Sequence, residues 1–475
     1  MHRSDPRYLA ALDHLLDRIN FEKSTDRPYA KSEFKLARMA YLLELLGDPH
    51  LAAPVIHIAG TKGKGSVSWL MAEAFRRNGL KTGLYTSPHL VDLEERFVVD
   101  GQPIEPQELV EIVEQLGPAE RACTASEHGP PTFFEMATAI GWLAFQKHRT
   151  QVNVIEVGLG GRLDSTNVCN PTLCIITNIS YDHQQQLGNT LAEIASEKAG
   201  IIKPKIPVIC GARAIEAAKV IEQKAFDAGS HLEQLGRDFH VHWSLGQHPL
   251  SASLEYSDGL RPSRHYALRM LGKHQADNAA LAIAAWNQLK HLGWNLALRP
   301  LVESLAYTQV PARMEVLSNT PFWILDTAHN EASIDALSDT LESFFPALPK
   351  SVIFACSKDK KASEMLDRLI QIADRIILTQ YQCNPRFTPV EKLVSIANEL
   401  LSHHAPKLKS QNKKICQLVS AKDLPQAVQL SRLPMADPLA RIEPVHVITG
   451  SFFIAAEAKS FFASNGPGGT KPTDF

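Results

Sequence analysis

The segment AGTKGKGS, residues 59–66, constrains the fold of this chain more than any other stretch. The apolar sequence VIHI precedes it, and a helical pattern at about residues 67–78 follows it. Gly60, Gly63 and Gly65 permit positive φ angles and let backbone N–H groups approach an anion closely. The positive end of the helix dipole points at the same place. A strand, a glycine-rich loop and a helix in this order predict a phosphate-binding cradle.

The side chains of this loop also suit phosphate chemistry. Lys64 can reach the outer phosphates of a nucleotide, and the Ser66 hydroxyl can lie beside a phosphate or its Mg²⁺. The spacing differs from the usual P-loop because Gly65 separates the lysine from the serine. The predicted nucleotide-binding residues of the loop are Gly60, Thr61, Lys62, Gly63, Lys64, Gly65 and Ser66.

Composition excludes several classes of protein. Charged residues make up 21% of the 475 residues and the net charge is −2, which gives no sign of a nucleic-acid-binding surface. No apolar run approaches the roughly 20 residues that span a membrane, and the N-terminus has no signal-peptide core. The seven cysteines form no CxxC pair, which favours free thiols in a reducing compartment. We therefore expect a cytoplasmic protein without nucleic-acid or membrane partners.

Buried strands and helices alternate along the chain. Near-continuous apolar runs at 152–157 and 173–179 predict parallel strands that are covered on both faces. The alternation starts again after residues 297–300, with further apolar strands at 322–325 and 352–355. The pattern predicts an α/β protein with two doubly wound domains.

The predicted domains differ in size and task. The larger one is an N-terminal P-loop ATP-binding domain at 1–298. A smaller, Rossmann-like C-terminal domain follows at 299–463. The polar, glycine-rich end of the chain, 464–475, predicts a disordered tail.

Polar side chains follow the predicted strands of the first domain, at the edge where open α/β sheets place their working residues. Ser87 follows one strand, Glu156 ends another, and His183 follows a third. A hydroxyl, a carboxylate and an imidazole beside a phosphate cradle suit a partial shell for Mg²⁺, and the imidazole leaves Mn²⁺ conceivable. A carboxylate in a buried apolar strand is costly unless it is paired or binds a metal.

Further polar residues occur later in the chain. Asp326 and His329, in the sequence DTAHN, follow a buried strand, and Arg313 lies shortly before it. Gln275 and Asn278 lie one turn apart at the start of an alanine-rich helix, where their amides could hydrogen-bond a base or a ribose.

Eight motifs occur in a fixed order: AGTKGKGS, TSPHL, EVGLGGRLDSTN, DHQQQLG, SEKAGIIK, HQADNA, PARMEV and DTAHN. In this order they resemble the folylpolyglutamate synthase/dihydrofolate synthase family of the Mur-ligase superfamily, over about residues 30–460. The resemblance implies a monomeric, ATP-dependent amide ligase of folate biosynthesis and one-carbon metabolism. Its implied substrates are ATP, L-glutamate and a reduced folate, whose γ-carboxylate is glutamylated through an acyl phosphate. Dihydropteroate is implied as a second possible acceptor.

The resemblance also implies roles for single residues. Ser87, Glu156 and His183 match the family's Mg²⁺ ligands, in agreement with their places at strand ends. Asn278, Arg313 and Asp326 match residues that hold ATP. Lys198 matches a lysine that is carbamylated in this superfamily and helps to bind a second Mg²⁺. The implied catalytic side chains are Lys64, Lys198 and His329, the last beside the incoming glutamate.

The same resemblance implies where the pterin substrate binds. Implied contacts are Thr132, Phe133, Phe134, Glu135, Leu163, Asp164 and Ser165. Two features depart from the family pattern. Lys62 stands where many members have asparagine, which adds a positive charge to the loop. The segment 21–34, where pterin-binding residues usually begin, does not match the bacterial pattern, which leaves open whether dihydropteroate is also used.

Other classes remain as alternatives. A P-loop NTPase without ligase activity would hydrolyse ATP without an acceptor. Another Mur-type amide ligase, such as a peptidoglycan ligase, would need an extra N-terminal UDP-binding domain, and about 55 residues precede the loop. A dinucleotide-binding oxidoreductase is suggested by GLGGRLD, but this turn is not a true GxGxxG. A non-enzymatic binding module would not need so many polar strand ends.

Overall fold

The computed structural model describes residues 3–19, 36–246, 250–260, 262–410, 415–434 and 442–465. They form two compact units. Unit 1 holds the described residues of Met1–Trp243, Ser253–Leu268 and His274–Thr308, and unit 2 holds those of Ser244–Ala252, Arg269–Lys273 and Gln309–Phe475. Within these described stretches no helix has both the length and the apolar character needed to cross a bilayer.

Unit 1 is built on an eight-stranded sheet. Its strands are β1 (Val55–Ala59), β2 (Thr82–Tyr85), β3 (Phe97–Val99), β4 (Gln102–Pro103), β5 (Val152–Glu156), β6 (Leu173–Ile176), β7 (Val208–Cys210) and β8 (Leu232–Gln234). The order is β4-β3-β2-β5-β1-β6-β7-β8, parallel from β2 to β8 with an antiparallel edge made by β3 and β4. A three-stranded sheet contains β9 (His240–Leu245), β10 (Ala252–Ser257) and β11 (Arg264–Leu268).

Helices lie before, between and after these strands. They are α1 (Pro6–Leu16), α2 (Leu36–Leu45), α3 (Lys64–Arg77), α4 (Pro106–Ala125), α5 (Phe133–His148), α6 (Gln184–Leu187), α7 (Leu191–Ala199), α8 (Ile215–Asp227), α9 (Lys273–His291) and α10 (Leu298–Tyr307). One apolar cluster joins α1, α2, α4 and α5 to the sheet, and a second joins α7 and α8 to it.

The centre of this sheet is the strand that carries the phosphate loop. β1 lies between β5 and β6, and all five of its residues are buried, which explains its apolar sequence. The chain first leaves β1 toward β2 and later turns to the other side through β6 and β7. Open α/β sheets bind ligands at such a reversal of strand order, beyond the carboxyl ends of the strands. The loop after β1 therefore occupies the favoured position for a ligand site.

Unit 2 has a six-stranded sheet with the order β12-β13-β17-β14-β15-β16, parallel except at its β12 edge. Its strands are β12 (Glu315–Asn319), β13 (Phe322–Leu325), β14 (Lys350–Phe354), β15 (Arg375–Leu378), β16 (Gln417–Ser420) and β17 (Val445–Thr449). Its helices are α11 (Glu331–Phe344), α12 (Ala362–Ile372), α13 (Val390–Ser410), α14 (Leu424–Ser431) and α15 (Phe452–Asn465).

The two sheets confirm the predicted fold class, since each unit alternates strands with helices around a mostly parallel sheet. Some details differ. The helix after the phosphate loop begins at Lys64 rather than at residue 67. The chain position 298/299, predicted as the domain boundary, is the start of α10, which belongs to unit 1. The segment 21–34 and residues 466–475 of the predicted tail lie outside the described residues, whereas Ser464 and Asn465 end α15.

Candidate active site

The phosphate loop has a backbone that only glycine can follow at two positions. Gly60 has φ +147° and packs on Thr177, whose hydroxyl a Cβ at residue 60 would strike. Gly63 has φ +89° and caps the N-terminus of α3, and a Cβ there would collide with the side-chain oxygen of Asn278. The first intrahelical bond runs from Val67 N to Gly63 O, so the N–H groups of the first turn are available at the loop. This is the geometry of an anion site.

The segment after β6 holds this loop in place. Asn178 accepts from two adjacent N–H groups of the loop: its main-chain oxygen lies 2.8 Å from Thr61 N and its Oδ1 lies 3.0 Å from Lys62 N. The Thr177 hydroxyl donates to Lys62 O over 2.7 Å. Thr61 Oγ1 lies 3.1 Å from both the main-chain oxygen and the N–H of Ser180. These contacts hold the loop in one conformation, as a preorganised cradle requires.

Besides Lys64, the loop itself carries Lys62, and Lys198 of α7 lies against it. The Nζ of Lys198, which is buried, donates to Gly60 O over 2.9 Å. Burial lowers the pKa of Lys198 to about 7, and the positive charge of Lys64 adds to this effect. Lys62 Nζ lies 3.2 Å from Asp182 Oδ2. The loop thus gathers cationic groups where a polyphosphate would need them.

The structure brings together two of the three predicted metal ligands. Glu156, at the end of β5, is buried, and its Oε2 accepts from Ser87 N over 3.3 Å. The same oxygen would lie 3.7 Å from a Cβ at Gly65, so this carboxylate faces the start of α3. His183 is exposed and is linked to the loop through its neighbour Asp182, which pairs with Lys62.

This donor set fits Mg²⁺ rather than a metal held entirely by protein. Over the described part of the chain, no three His, Cys, Asp or Glu side chains cluster tightly enough to hold an ion. Mg²⁺ is commonly bound through one or two carboxylates together with water and substrate phosphates. One carboxylate and one hydroxyl beside a phosphate cradle match that pattern.

A separate cleft lies in unit 1, and the space in it that water-sized molecules can enter is about 50 Å³. Among its lining residues are six of the predicted substrate contacts, namely Thr132, Phe134, Glu135, Leu163, Asp164 and Ser165. Phe133 is not among them: it belongs to the apolar core and its ring lies under the guanidinium of Arg96 at 5.3 Å. The structure therefore gathers six of the seven predicted substrate contacts around one cleft.

One predicted substrate residue is already engaged inside the protein. Glu135 closes a capping box with Thr132 at the start of α5. Its carboxylate also accepts from Arg38 Nε at 2.8 and 3.0 Å, and both side chains are buried. Glu135 therefore shapes the cleft wall as half of a buried ion pair. Arg38 also lines the cleft, and sequence reasoning missed it because its partner is far away in the chain.

Asn278 lies against the phosphate loop. Its Oδ1 packs against Gly63, and its Nδ2 donates to Gln275 Oε1 over 2.9 Å. The start of α9 thus supports the phosphate loop.

In unit 2, one aromatic ring brings two of the predicted residues together. The guanidinium of Arg313 lies over the ring of Phe452 at 5.4 Å, and the imidazole of His329 lies 5.6 Å from the same ring. Phe452 follows β17, and Asp326 follows its neighbour β13. No chemical pattern in the sequence pointed to Phe452.

The carboxylate of Asp326 is tied to its own unit. Its Oδ2 accepts from Met314 N over 2.8 Å and its Oδ1 from Ala328 N over 2.7 Å. Burial raises the pKa of Asp326, while Arg313 opposes the rise. Asp326 therefore fixes the turn that carries Arg313 and the turn that carries His329.

Comparisons with known proteins identify two domain families along the chain. Residues 58–286 match the Mur ligase middle domain, and residues 312–442 match the Mur ligase glutamate ligase domain. The dihydrofolate synthase/folylpolyglutamate synthase of Bacillus subtilis is 36% identical over 344 residues, which cover 72% of this chain and 80% of that protein.

Solved structures extend the likeness over nearly the whole chain. The folylpolyglutamate synthase of Thermotoga maritima superposes with a TM-score of 0.81 at 28% identity, and 98% of each chain is covered. That of Mycobacterium tuberculosis, solved with ADP and AMPPCP, has a TM-score of 0.80 at 30% identity, with 96% of this chain and 99% of that chain covered.

Proposed function

This chain belongs to the dihydrofolate synthase/folylpolyglutamate synthase family of Mur ligases, and on that premise we propose how its own residues perform the reaction. It is an ATP-dependent amide ligase that adds L-glutamate to the γ-carboxylate of a folate. The observation that carries the residue assignments is the preorganised loop after β1, with Lys64, Lys198 and Glu156 around it.

The first step is phosphoryl transfer. The γ-carboxylate of the acceptor attacks the γ-phosphate of ATP, which gives an acyl phosphate and ADP. The N–H groups at the start of α3, together with Lys64 and Ser66, stabilise the charge that spreads over the phosphate oxygens. We assign Asn278, Arg313 and Asp326 to the nucleotide as well, Asn278 through its support of Gly63.

The second step forms the amide. The amine of L-glutamate attacks the acyl phosphate, a tetrahedral intermediate forms, and phosphate leaves. We assign His329 to the incoming glutamate. Its Nδ1 lies 2.8 Å from Thr327 O, which fixes the proton on Nδ1 and the orientation of the ring.

We propose that Ser87, Glu156 and His183 hold Mg²⁺, which supplies charge neutralisation and a template for the phosphates. Two contacts support this assignment: the Glu156 carboxylate faces Gly65 of the phosphate loop, and Ser87 lies beside Glu156.

A second Mg²⁺ would require a modified Lys198. The neutral amine adds CO₂ and releases one proton, which gives a carbamate that carries negative charge. A pKa of about 7 leaves a substantial neutral fraction near neutral pH, as this addition requires. The carbamate nitrogen keeps one N–H, so the bond to Gly60 O can persist.

We assign the cleft of unit 1 to the pterin part of the acceptor. The Bacillus subtilis relative carries both activities in its name, which favours dihydropteroate as a second acceptor. A monomer in the cytoplasm completes the proposal, and size-exclusion chromatography with light scattering tests the oligomeric state.

The acceptor is identified by ADP release with ATP, Mg²⁺ and L-glutamate in three parallel reactions. They contain tetrahydrofolate, dihydropteroate or no acceptor. Release with both acceptors indicates a bifunctional enzyme, and release with tetrahydrofolate alone indicates a dedicated polyglutamate synthase. Equal release without acceptor would refute the ligase and favour a plain NTPase.

A further inference from the structure

A buried chain of hydrogen bonds connects β1 to the wall of the cleft. His57, in the middle of β1, is fully buried, and its Nε2 lies 2.9 Å from Thr166 Oγ1. The Thr166 hydroxyl donates to Asp164 Oδ1 over 2.5 Å. Asp164 lines the cleft, whereas neither His57 nor Thr166 does. The chain thus runs from the strand that carries the phosphate loop to the cleft.

Each hydrogen bond in this buried series has a defined donor and acceptor. Thr166 has one hydroxyl proton, and the Asp164 carboxylate is the stronger acceptor for it. Thr166 Oγ1 then accepts from His57, which must carry its proton on Nε2. The His57 Nδ1 is buried, and in the described part of the chain it has no partner. This is the less costly arrangement, because unpaired buried N–H groups are rarer in proteins than unpaired acceptors.

The Asp164 carboxylate is held by two further donors. Leu159 N donates to Oδ2 over 2.9 Å, and Thr166 N donates to Oδ1 over 3.0 Å. A carboxylate offers about four lone-pair sites, so the three donors found among the described residues leave one for a ligand. Burial raises the pKa of Asp164, and these donors together with Lys64 oppose that rise. The donors therefore favour an ionised, fixed acceptor.

Ser165 presents the same polarity to the cleft. The Thr138 hydroxyl donates to Phe134 O over 2.8 Å. Ser165 Oγ lies 2.6 Å from Thr138 Oγ1, so it is Ser165 that donates in this contact. The Ser165 oxygen is left as an acceptor. Asp164 and Ser165 thus both present acceptor oxygens at the cleft.

We propose that His57 and Thr166 are positioning residues that set the specificity of the cleft by holding Asp164 as a fixed acceptor. With Ser165, Asp164 then selects a planar heterocycle that has adjacent N–H donors, such as the 2-amino-pyrimidinone edge of a pterin. The inference rests on the proposed function, because it takes the cleft to be the acceptor site. Neither positioning residue touches the ligand; both act through Asp164.

The test is the steady-state kinetics of Thr166→Val, which removes the hydroxyl and preserves the shape of the side chain. A matched control is Thr150→Val, in the turn just before β5. Thr150 is also buried, and its hydroxyl likewise donates to a side-chain oxygen, that of Asn153, over 2.7 Å. Thr166→Ser restores the hydroxyl, and His57→Gln keeps an N–H near the position of Nε2.

We expect Thr166→Val to raise the KM for the folate acceptor about tenfold or more, because a hydrogen bond to a charged group is lost. The kcat and the KM for ATP stay near those of the wild type. Thr166→Ser, His57→Gln and Thr150→Val keep a KM for the acceptor close to the wild-type value.

A Thr166→Val enzyme with an unchanged KM for the acceptor would overturn the inference. The inference would also be overturned if Thr150→Val raised the KM for the acceptor equally, or if Thr166→Ser did not restore the wild-type KM. If Thr166→Val does not fold, Thr166→Ala provides the same comparison with Thr166→Ser. A wild-type enzyme that forms no acceptor-dependent ADP would instead refute the proposed function.

Discussion

Lys198 Nζ donates to the main-chain oxygen of Gly60 over 2.9 Å, which places a buried lysine against the phosphate loop. Its pKa of about 7 lies well below the ordinary 10.5, chiefly because of burial and then because of Lys64. The ammonium is therefore the unfavourable form in the folded protein. This has consequences for stability as well as for modification.

The stability of unit 1 should rise with pH because of this lysine. Between about pH 7 and pH 10.5 the unfolded chain holds a proton on Lys198 that the folded chain does not, so raising the pH favours folding. The gain is lost as the pH falls toward 7. Urea unfolding in CO₂-free buffer, at the low-pH and high-pH ends of this range, measures the change in the free energy of unfolding. Lys198→Met should lack this component, and an identical pH dependence in the wild type and the variant would contradict the assignment.

Gly63→Ala should disrupt the loop beyond the cost of its φ angle. The new Cβ would collide with Asn278, while the same substitution at Gly79, with φ +84°, meets no atom within 4 Å. Gly79→Ala therefore reports the backbone strain alone, about 1 to 2 kcal/mol. We expect Gly63→Ala to lose ADP formation almost completely and Gly79→Ala to keep it. Equal activity of the two variants would argue against a tightly packed loop.

Lys64→Ala should lower turnover by orders of magnitude and leave the thermal unfolding midpoint nearly unchanged. The lysine stabilises charge only when phosphate is present, so its loss affects catalysis more than folding. Lys219→Ala, on the exposed side of α8, is the control for loss of one positive charge. Near-normal ligation by the Lys64 variant would remove this residue from the phosphate site.

Glu156→Gln should raise the Mg²⁺ concentration needed for half-maximal activity. The amide keeps the size of the side chain but loses the charge that attracts the cation. Glu111→Gln, on the exposed face of α4, controls for a general change in charge. An Mg²⁺ titration that is the same for Glu156→Gln and the wild type would exclude Glu156 from the metal site.

Residues at strand ends were predictable from sequence, whereas distant partners were not. Glu156 is identifiable because a carboxylate interrupts a buried strand, and the structure places it opposite Gly65. Nothing local links Arg38 to Glu135 or Asn278 to Gly63, because these pairs form only when distant helices pack.

The same limit applies to hydrogen-bond networks and to unit 2. Phe452 joins Arg313 to His329 through the packing of two strand ends that are far apart in the chain. His57 reads as an ordinary member of an apolar strand until its contact with Thr166 is seen. The spacing of apolar residues predicts which face of a helix or strand is buried, but it does not predict the hydrogen-bond partners of the polar residues there.

The reaction itself is tested most directly by its products. Purified protein is incubated with ATP, Mg²⁺, L-glutamate and tetrahydrofolate, and ADP is quantified together with the folate product by mass spectrometry. We predict that one ADP forms for each glutamyl residue added to the folate. Omission of either the folate acceptor or L-glutamate should abolish the glutamylated product. ADP formation that continues without acceptor, with no glutamylated folate, would contradict the assignment as a folate–glutamate ligase.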